Sequence, residues 1–590
     1  MTGSSKVPTG EIMSFFKARI ASAVGPWRHG RHRIGLVDTL TLALGITALA
    51  HGGAAMAADA APAAVPCDPY KKYDCLDSYL GDGFWERYFN YNVLEWGQPS
   101  APSDPKAPPN RRDYWPATPM TTPPMPFTEW PYGGTTALGV TRTGSIDSPL
   151  MVALGNTALG KWMNDTGLQF YGWVDVGGNI SSSTTKPGGN APAAYMYTPN
   201  TVTLDQAVIY LDRFPDTVQK DHIDWGLRLS AIYGENYRYT TAYGLDSWQL
   251  LTRNRTNGYD FPMIYGELFF PQLEEGLVVR VGRFISLPDI EAQLAPNNYM
   301  YSHSMTYALD NYTNTGIQTT LAVTKQWFVQ LGVTVGTEAS IMHLKARTGN
   351  PVQTFDYNGT IIANPLYPDA TIKVDPGSMP SYTACVRWSS ESGNDDFNAC
   401  ADAINSGEWG YNNLQWYGFT AYHKFNDNWH LSYELYHEGE KGVPNLNNPI
   451  VQSLNAQFGT DGGTPFSPLQ GILFNNPDEA QCSNPNVVKC TAGATGTVAY
   501  LNYSPNPFNN FSIRPEFYAD LQGQRTGVAT RYANLAFGWQ HWWSPQFEAR
   551  PEIAFYHSFN APAFNGNSNA GILPDKNNEV ILSGDLIWHF

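Results

Sequence analysis

The sequence has no long apolar segment beyond its N-terminal region, few charges, few cysteines and no familiar catalytic signature. After one short run, Leu40 to Leu49, no stretch of eighteen apolar residues occurs, and the mean hydropathy is -0.33. Transmembrane helices are thereby excluded, since each needs about 20 apolar residues. A soluble chain or a β-barrel remains. Charged residues make up 15% of the 590, with a net charge of -16, which argues against a nucleic-acid partner. No G-x-S-x-G, H-E-x-x-H or phosphate-binding loop is present. A catalytic set assembled from separate strands stays open as an alternative. No C-x-x-C occurs, and His303, His437, His541 and His557 have no carboxylate or cysteine at ligand spacing. His423 and His430 alternate to opposite faces. Neither a metal nor a cofactor is expected.

In place of these features the chain is rich in Gly (54), Tyr (34) and Trp (18), and aromatics reach 14%. The last thirteen residues, Asn578 to Phe590, carry the clearest pattern. In an extended strand Val580, Leu582, Gly584, Leu586, Trp588 and Phe590 share one face. Ser583 and Asp585 share the other, with Ile581 and Ile587 as its apolar members. An open apolar edge strand aggregates in water. A closed barrel in a bilayer gives its face to lipid and its edge to a neighbouring strand.

The N-terminus reads as an export signal. Lys17, Arg19, Arg28, Arg31 and Arg33 precede the apolar run, and Ala55-Met56-Ala57 follows it. Residues 1–57 are expected to be removed, leaving a net charge of about -20. Export makes disulfides reasonable for the six cysteines, which fall into local pairs Cys67/Cys75, Cys385/Cys400 and Cys482/Cys490. Cys385 and Cys400 alternate to one side around a short turn, and Cys482/Cys490 sit in a position to staple the longest outer loop. Residues 58–165 form an N-terminal periplasmic arm, Pro-rich over 58–130, where a strand ladder cannot be held. Its tryptophans suit docking at the mouth of a barrel.

From residue 166 onward, alternating segments recur. Sixteen strands are expected, near 168–180, 204–213, 222–234, 261–270, 277–284, 316–323, 327–336, 381–389, 397–404, 414–425, 429–438, 497–503, 511–520, 529–541, 547–557 and 578–590. Every second connection is short and the alternate ones include long ones, as in an up-and-down barrel with its C-terminus on the side of the short turns. The fold class is therefore all-β: a transmembrane antiparallel up-and-down barrel of about 16 strands, wide enough for a water-filled lumen. Pro515 and Pro551 fall inside strands, each in Arg-Pro-Glu, and a bulge is expected at each.

The third long connection, 285–315, is weakly charged and long enough to fold into the lumen. By fold analogy it is a pore constriction loop carrying Asp289, Glu291 and Asp310; an ordinary surface loop is the alternative. Alternation turns Arg228, Glu267, Arg280, Arg514, Glu516, Asp520, Arg550 and Glu552 inward, together with Asp175. On the lipid face a basic residue would cost roughly 2–4 kcal/mol at midplane. Basic wall residues opposite an acidic loop would orient and sort small polar solutes; mutually paired Arg/Glu wall filler is the alternative.

Several segments resemble one family. Gly282-Arg283-Phe284-Ile285, Asn298-Tyr299-Met300-Tyr301-Ser302-His303-Ser304 and Asn314-Thr315-Gly316 are similar to the pattern of the OmpL-like β-barrel porins. So are Arg514-Pro515-Glu516-Phe517-Tyr518 and Gly523-Gln524-Arg525-Thr526-Gly527. The resemblance implies a barrel of the Gram-negative outer membrane acting as a porin, without catalytic residues. The expected function is a passive diffusion channel for small hydrophilic solutes or ions, with outer-membrane lipid around it and, by analogy, a homotrimeric assembly. An outer-membrane enzyme and a closed structural or adhesive barrel are the rival readings.

Overall fold

The computed structural model describes residues 76–97 and 148–590, apart from 218, 243–244, 252–254, 286–288, most of 344–378, 393, 409–413, 427, 453–478, 507 and 567–571. The expected leader, Cys67 and Cys75 lie outside the described residues.

Two-residue alternation has produced strands throughout. They are β1 (Gln169–Ser181), β2 (Val202–Arg213), β3 (Asp224–Gly234), β4 (Ile264–Phe270), β5 (Gly276–Ile285), β6 (Thr313–Ala322), β7 (Trp327–Thr337) and β8 (Ser381–Ser389). The second half holds β9 (Asp395–Ile404), β10 (Gln415–Lys424), β11 (Trp429–Pro444), β12 (Lys489–Asn506), β13 (Asn509–Asp520) and β14 (Thr530–Ser544). Then come β15, in two pieces (Phe547–Ala549 and Glu552–Ser558), and β16 (Asn578–His589). Each pairs antiparallel with the next, and β16 returns to β1 with Trp173 opposite His589 and Ser181 opposite Ile581. Gly172 and Phe590 exchange backbone hydrogen bonds of 3.1 and 2.9 Å beyond that pair. The sheet therefore has no free edge, and its sixteen strands match the expected segments one to one.

Side chains divide as a bilayer requires. On β16 Leu582 and Leu586 are about half exposed, while Ile581, Asp585 and Ile587 are buried inside. Ile317, Leu331 and Val333 are likewise outside, with Gln318, Gln330 and Thr334 inside. Exposed Trp225, Trp327, Trp429, Phe511, Trp539 and Trp588 lie near the short turns, where an aromatic girdle meets the headgroups. No helix among the described residues is long and apolar enough to cross a membrane.

The prolines correct one expectation. Neither Pro515 nor Pro551 makes a bulge. Pro515 is paired with Leu535 and no register shift accompanies it on β13–β14. Around Pro551, β14 pairs His541 with Ala549 and then Gly538 with Glu552, which is one unbroken register. The ladder skips two residues, because the ring removes a donor but leaves the carbonyl, which accepts from Trp539 N at 3.0 Å. Opposite it, a Cβ on Gly584 would stand 3.0 Å from Pro551 Cα, so the bare glycine accommodates the ring.

Before the barrel, the described part of the arm is helical: α1 (Leu76–Leu80), α2 (Phe84–Glu95), α3 (Pro149–Leu154) and α4 (Ala158–Thr166). Ser148 caps α3 by accepting from Met151 N, and Thr157 caps α4 by accepting from Gly160 N. Arg87 Nε donates to Val152 O at 2.9 Å and joins α2 to α3. Leu80, Tyr91 and Val152 enter one apolar cluster with Tyr171, Trp173, Tyr210 and Ile587 of the inner wall. Trp96 stacks on Phe547, and Gly97 N donates to Trp543 O at 2.8 Å. The helices thus pack against the barrel at the end of the short turns.

Candidate functional site: the inward loop and its wall

Between β5 and β6 the chain turns into the barrel. Its described residues from Ile290 to Tyr312 are all buried. At the base of the loop, Gly282 and Gly316 face each other across β5–β6. A Cβ on Gly282 would come within 2.2 Å of Ile264 O, and its φ is +140°, a backbone region open to glycine alone. This gives a physical reason for glycines at the two ends of the loop.

The loop braces itself. Asn298 Oδ1 accepts from Ala292 N at 2.8 Å, while its amide nitrogen donates to the carbonyls of Ala292 and Leu294. Ser304 caps a helical turn at Met305–Ala308 by accepting from Tyr307 N at 3.0 Å. Glu291 accepts from Ser304 N at 3.0 Å and from the hydroxyls of Ser304 and Tyr500. Burial raises the Glu291 carboxyl, while the Arg514 guanidinium and these donors pull it back. His303 is stacked under Tyr195 and donates to Ala292 O at 2.8 Å; burial lowers its pKa.

The wall then holds the loop by its polar groups. Four of the eight inward candidates bond it directly. Arg514 donates to Ser302 O at 2.6 Å and Ser302 Oγ at 2.8 Å, and lies 3.7 Å from Glu291 and 3.6 Å from Glu552. Glu552 accepts from Ser302 N at 2.9 Å. Glu516 accepts from Thr306 N and its hydroxyl at 2.6 and 2.9 Å. Arg550 donates to the carbonyls of Ala295 and Asn298 and pairs with Asp585. Asp520 acts one step back: it accepts from the backbone N–H of Gln524, Arg525 and Thr526, and Arg525 donates to Leu309 O at 2.7 Å. Arg514 stands against Glu291 rather than across a gap from it.

Arg228, Glu267 and Arg280 lie apart from these contacts. Arg228 pairs with Asp212 at 3.0 Å and lies over the rings of Tyr210 and Phe214. Arg280 and Glu267 are cross-strand neighbours, Nε to Oε1 2.9 Å. Cys385 and Cys400 face each other across β8–β9 and are joined by a disulfide, inside the barrel. A second disulfide joins Cys482 and Cys490, at the start of β12.

Asp289 and Asp310 come from the two ends of the loop, and with Glu434 of β11 they bring one oxygen each to within 4.8 Å of one another. Burial pushes the Asp289 carboxyl up to about 8, with nearby Glu291 adding to it. Asp310 is raised by burial and then by Asp289. Glu434, Arg525, Tyr500, Ser302 and Thr306 were not nominated from sequence. Alternation places Glu434 and Tyr500 inward, but no local pattern tells which inward residues a loop more than a hundred positions away will meet.

A family model described as "Putative beta-barrel porin-2, OmpL-like" matches residues 167–590. No curated protein matches the sequence. Among solved structures the chain is similar to the outer membrane channel DcaP of Acinetobacter baumannii, at 9% identity over 72% of this chain and 97% of that one, TM-score 0.39. It is similar also to an anion-selective porin from Comamonas acidovorans, at 9% identity over 72% and 99%, TM-score 0.41. OmpT of Vibrio cholerae is a third, at 7% identity over 72% and 97%, TM-score 0.36. The family match runs from just before β1 to the last residue and takes in every strand and the inward loop, and on that ground the chain belongs to the OmpL-like β-barrel porin-2 family of the outer membrane.

Proposed function

We propose that this porin is a passive diffusion channel for small hydrophilic solutes or ions, filtered where loop 286–312 meets the wall. The observation that carries the reading is a polar interior inside a lipid-facing cylinder, crossed by one braced loop. Gln318, Gln330, Thr334, Ser432, Asn502 and Asn534 turn polar side chains to the inner face, the lining that a barrel of this strand number uses for a hydrated lumen. The Arg514–Glu552, Glu516 and Arg550–Asp585 groups hold the loop in position, and Asp289, Glu291 and Asp310 set its charge. The same reading makes the protein a channel and not a catalyst, surrounded by lipid; a homotrimer is proposed by analogy with other sixteen-stranded porins.

Recording from purified protein in planar bilayers tests it. Step conductances are expected, with ion selectivity altered by Asp289→Lys or Glu291→Lys. Absence of steps would favour a closed structural barrel, and turnover of a substrate without conductance would favour an enzyme. Chemical cross-linking in native membranes reads the subunit number, and a monomer band alone would remove the trimer.

A further inference from the structure

We propose that Asp289, Asp310 and Glu434 form a site for one hard divalent cation of the calcium class, which ties both ends of loop 286–312 to wall strand β11. Three oxygens gathered within 4.8 Å of one another leave room for a common centre. Oxygen ligands at about 2.3–2.6 Å from one ion stand at most roughly 4.6–5.2 Å apart, so three oxygens within 4.8 Å of one another can share it. Carboxylate-only ligation selects for hard cations over zinc or copper.

Independently of the spacing, each of the three carboxylates keeps one buried oxygen with no hydrogen-bond donor against it among the described residues: Asp289 Oδ1, Asp310 Oδ2 and Glu434 Oε1; Asp289 and Asp310 stand close enough to share a proton when no ion is bound. Asp310 and Glu434 are at most 1% exposed. Their other oxygens are already held. Glu434 Oε2 accepts from Ile290 N at 2.9 Å, and Asp310 Oδ1 accepts from Asn311 N. Asp310 and Glu434 are therefore each fixed by one oxygen and keep the other uncommitted. The neighbouring arginines are committed elsewhere, Arg514 to Glu291 and Glu552, and Arg525 to Glu438. The charges acting on the cluster are acidic, from Glu291, Asp402 and Glu438. Buried carboxylates with acidic neighbours need either protons or a cation. Three carboxylates from two chain segments, two of them held in place, fit a cation, and water completes its shell.

Cation binding stands apart from conduction; only its effect on current rests on the channel reading. Full-length barrel refolded in detergent is stripped with EDTA, desalted and titrated with CaCl2 by calorimetry. A parallel titration follows Tb3+ luminescence sensitised by nearby tyrosines and its displacement by Ca2+. A single Ca2+ site per chain is expected, weakened at least about tenfold in Asp310→Asn/Glu434→Gln. The double variant keeps side-chain shape and removes repulsion, and heat-modifiable gel migration verifies its fold. Wild-type protein that takes up no Ca2+ at millimolar concentration overturns the proposal, as does a site of unchanged affinity in the folded double variant. If that variant does not fold, the wild-type titrations decide, with Glu391→Gln on the short turn between β8 and β9 as the control that must retain the site. A Ca2+ site in a protein without step conductance would remove the channel reading and leave the site standing.

Discussion

Arg514 is the group on which the loop's position turns most. Replacing it with methionine keeps the volume of the stem and removes the guanidinium. Ser302 then loses two donors at its carbonyl and hydroxyl, and Glu291 and Glu552 lose the cation 3.7 and 3.6 Å away. Arg514 is 0% exposed, so water does not make good the loss in place. Removing one partner of a buried ion pair costs about 3–5 kcal/mol. At about 1.4 kcal/mol per tenfold, the balance between docked and released loop shifts by roughly two to three and a half orders of magnitude. The ladder of sixteen strands does not pass through this side chain, so the cost falls on the loop rather than on the barrel. In planar bilayers Arg514→Met is expected to flicker and to reach larger conductance levels than wild type. Limited proteolysis should cut within 286–312 where wild type resists. Adding Glu552→Gln should restore part of the quiet behaviour, since one uncompensated charge is then gone. Leu582→Ala, on the lipid face, should change neither readout. A folded Arg514→Met barrel with wild-type current and wild-type protection would refute the anchoring argument.

Three further outcomes are expected. Asp289 is pushed up to about 8 in the docked loop, whereas released into water it returns to the ordinary value of about 4. The docked state therefore binds the extra proton between those values; docking is fully supported below about pH 4 and weakens as pH rises through about 8, by up to ~1.4 kcal/mol per unit. Flicker in EDTA should thus increase from pH 5 to pH 9, and a flat profile would contradict this. Gly282→Ala forces a Cβ to 2.2 Å from Ile264 O and should cost folded yield on heat-modifiable gels, while Gly266→Ala, whose nearest neighbour is 3.8 Å away, should not. Cys482→Ser/Cys490→Ser should leave barrel migration and conductance intact and only expose the adjoining outer segment to protease, because the strand ladder does not depend on that bridge; loss of the folded band would show otherwise.

The barrel was legible because alternation is a strong signal wherever one face meets lipid: Ile317/Gln318 and Leu331/Gln330 each separate cleanly. The signal fades beyond the bilayer, where both faces are polar, so the extensions of β11 to Pro444 and of β12 back to Lys489 exceed the expected 429–438 and 497–503. The helix Phe84–Glu95 was hidden by the prolines around it, although its Trp85, Phe89 and Val93 alternate at helical spacing with buried Tyr88 and Tyr91. The inward turn of 285–315 could be anticipated from length and low charge. Its contacts could not. Arg514 bonds a residue 212 positions away and Glu434 one 144 positions away, and pairings of that range come from closure of the cylinder, not from any local pattern.

That closure has a consequence for biogenesis. Phe590 is bound through both its amide and its carbonyl to Gly172, and a Cβ there would strike the Phe590 ring at 2.8 Å. Phe590 is thus the latch for the first strand of the cylinder. A chain stopped a few residues early has no smaller pore to fall back on; it is a ribbon with two sticky margins. The wall can therefore seal only once β16 is in place, and until then both margins are open to pairing with another chain.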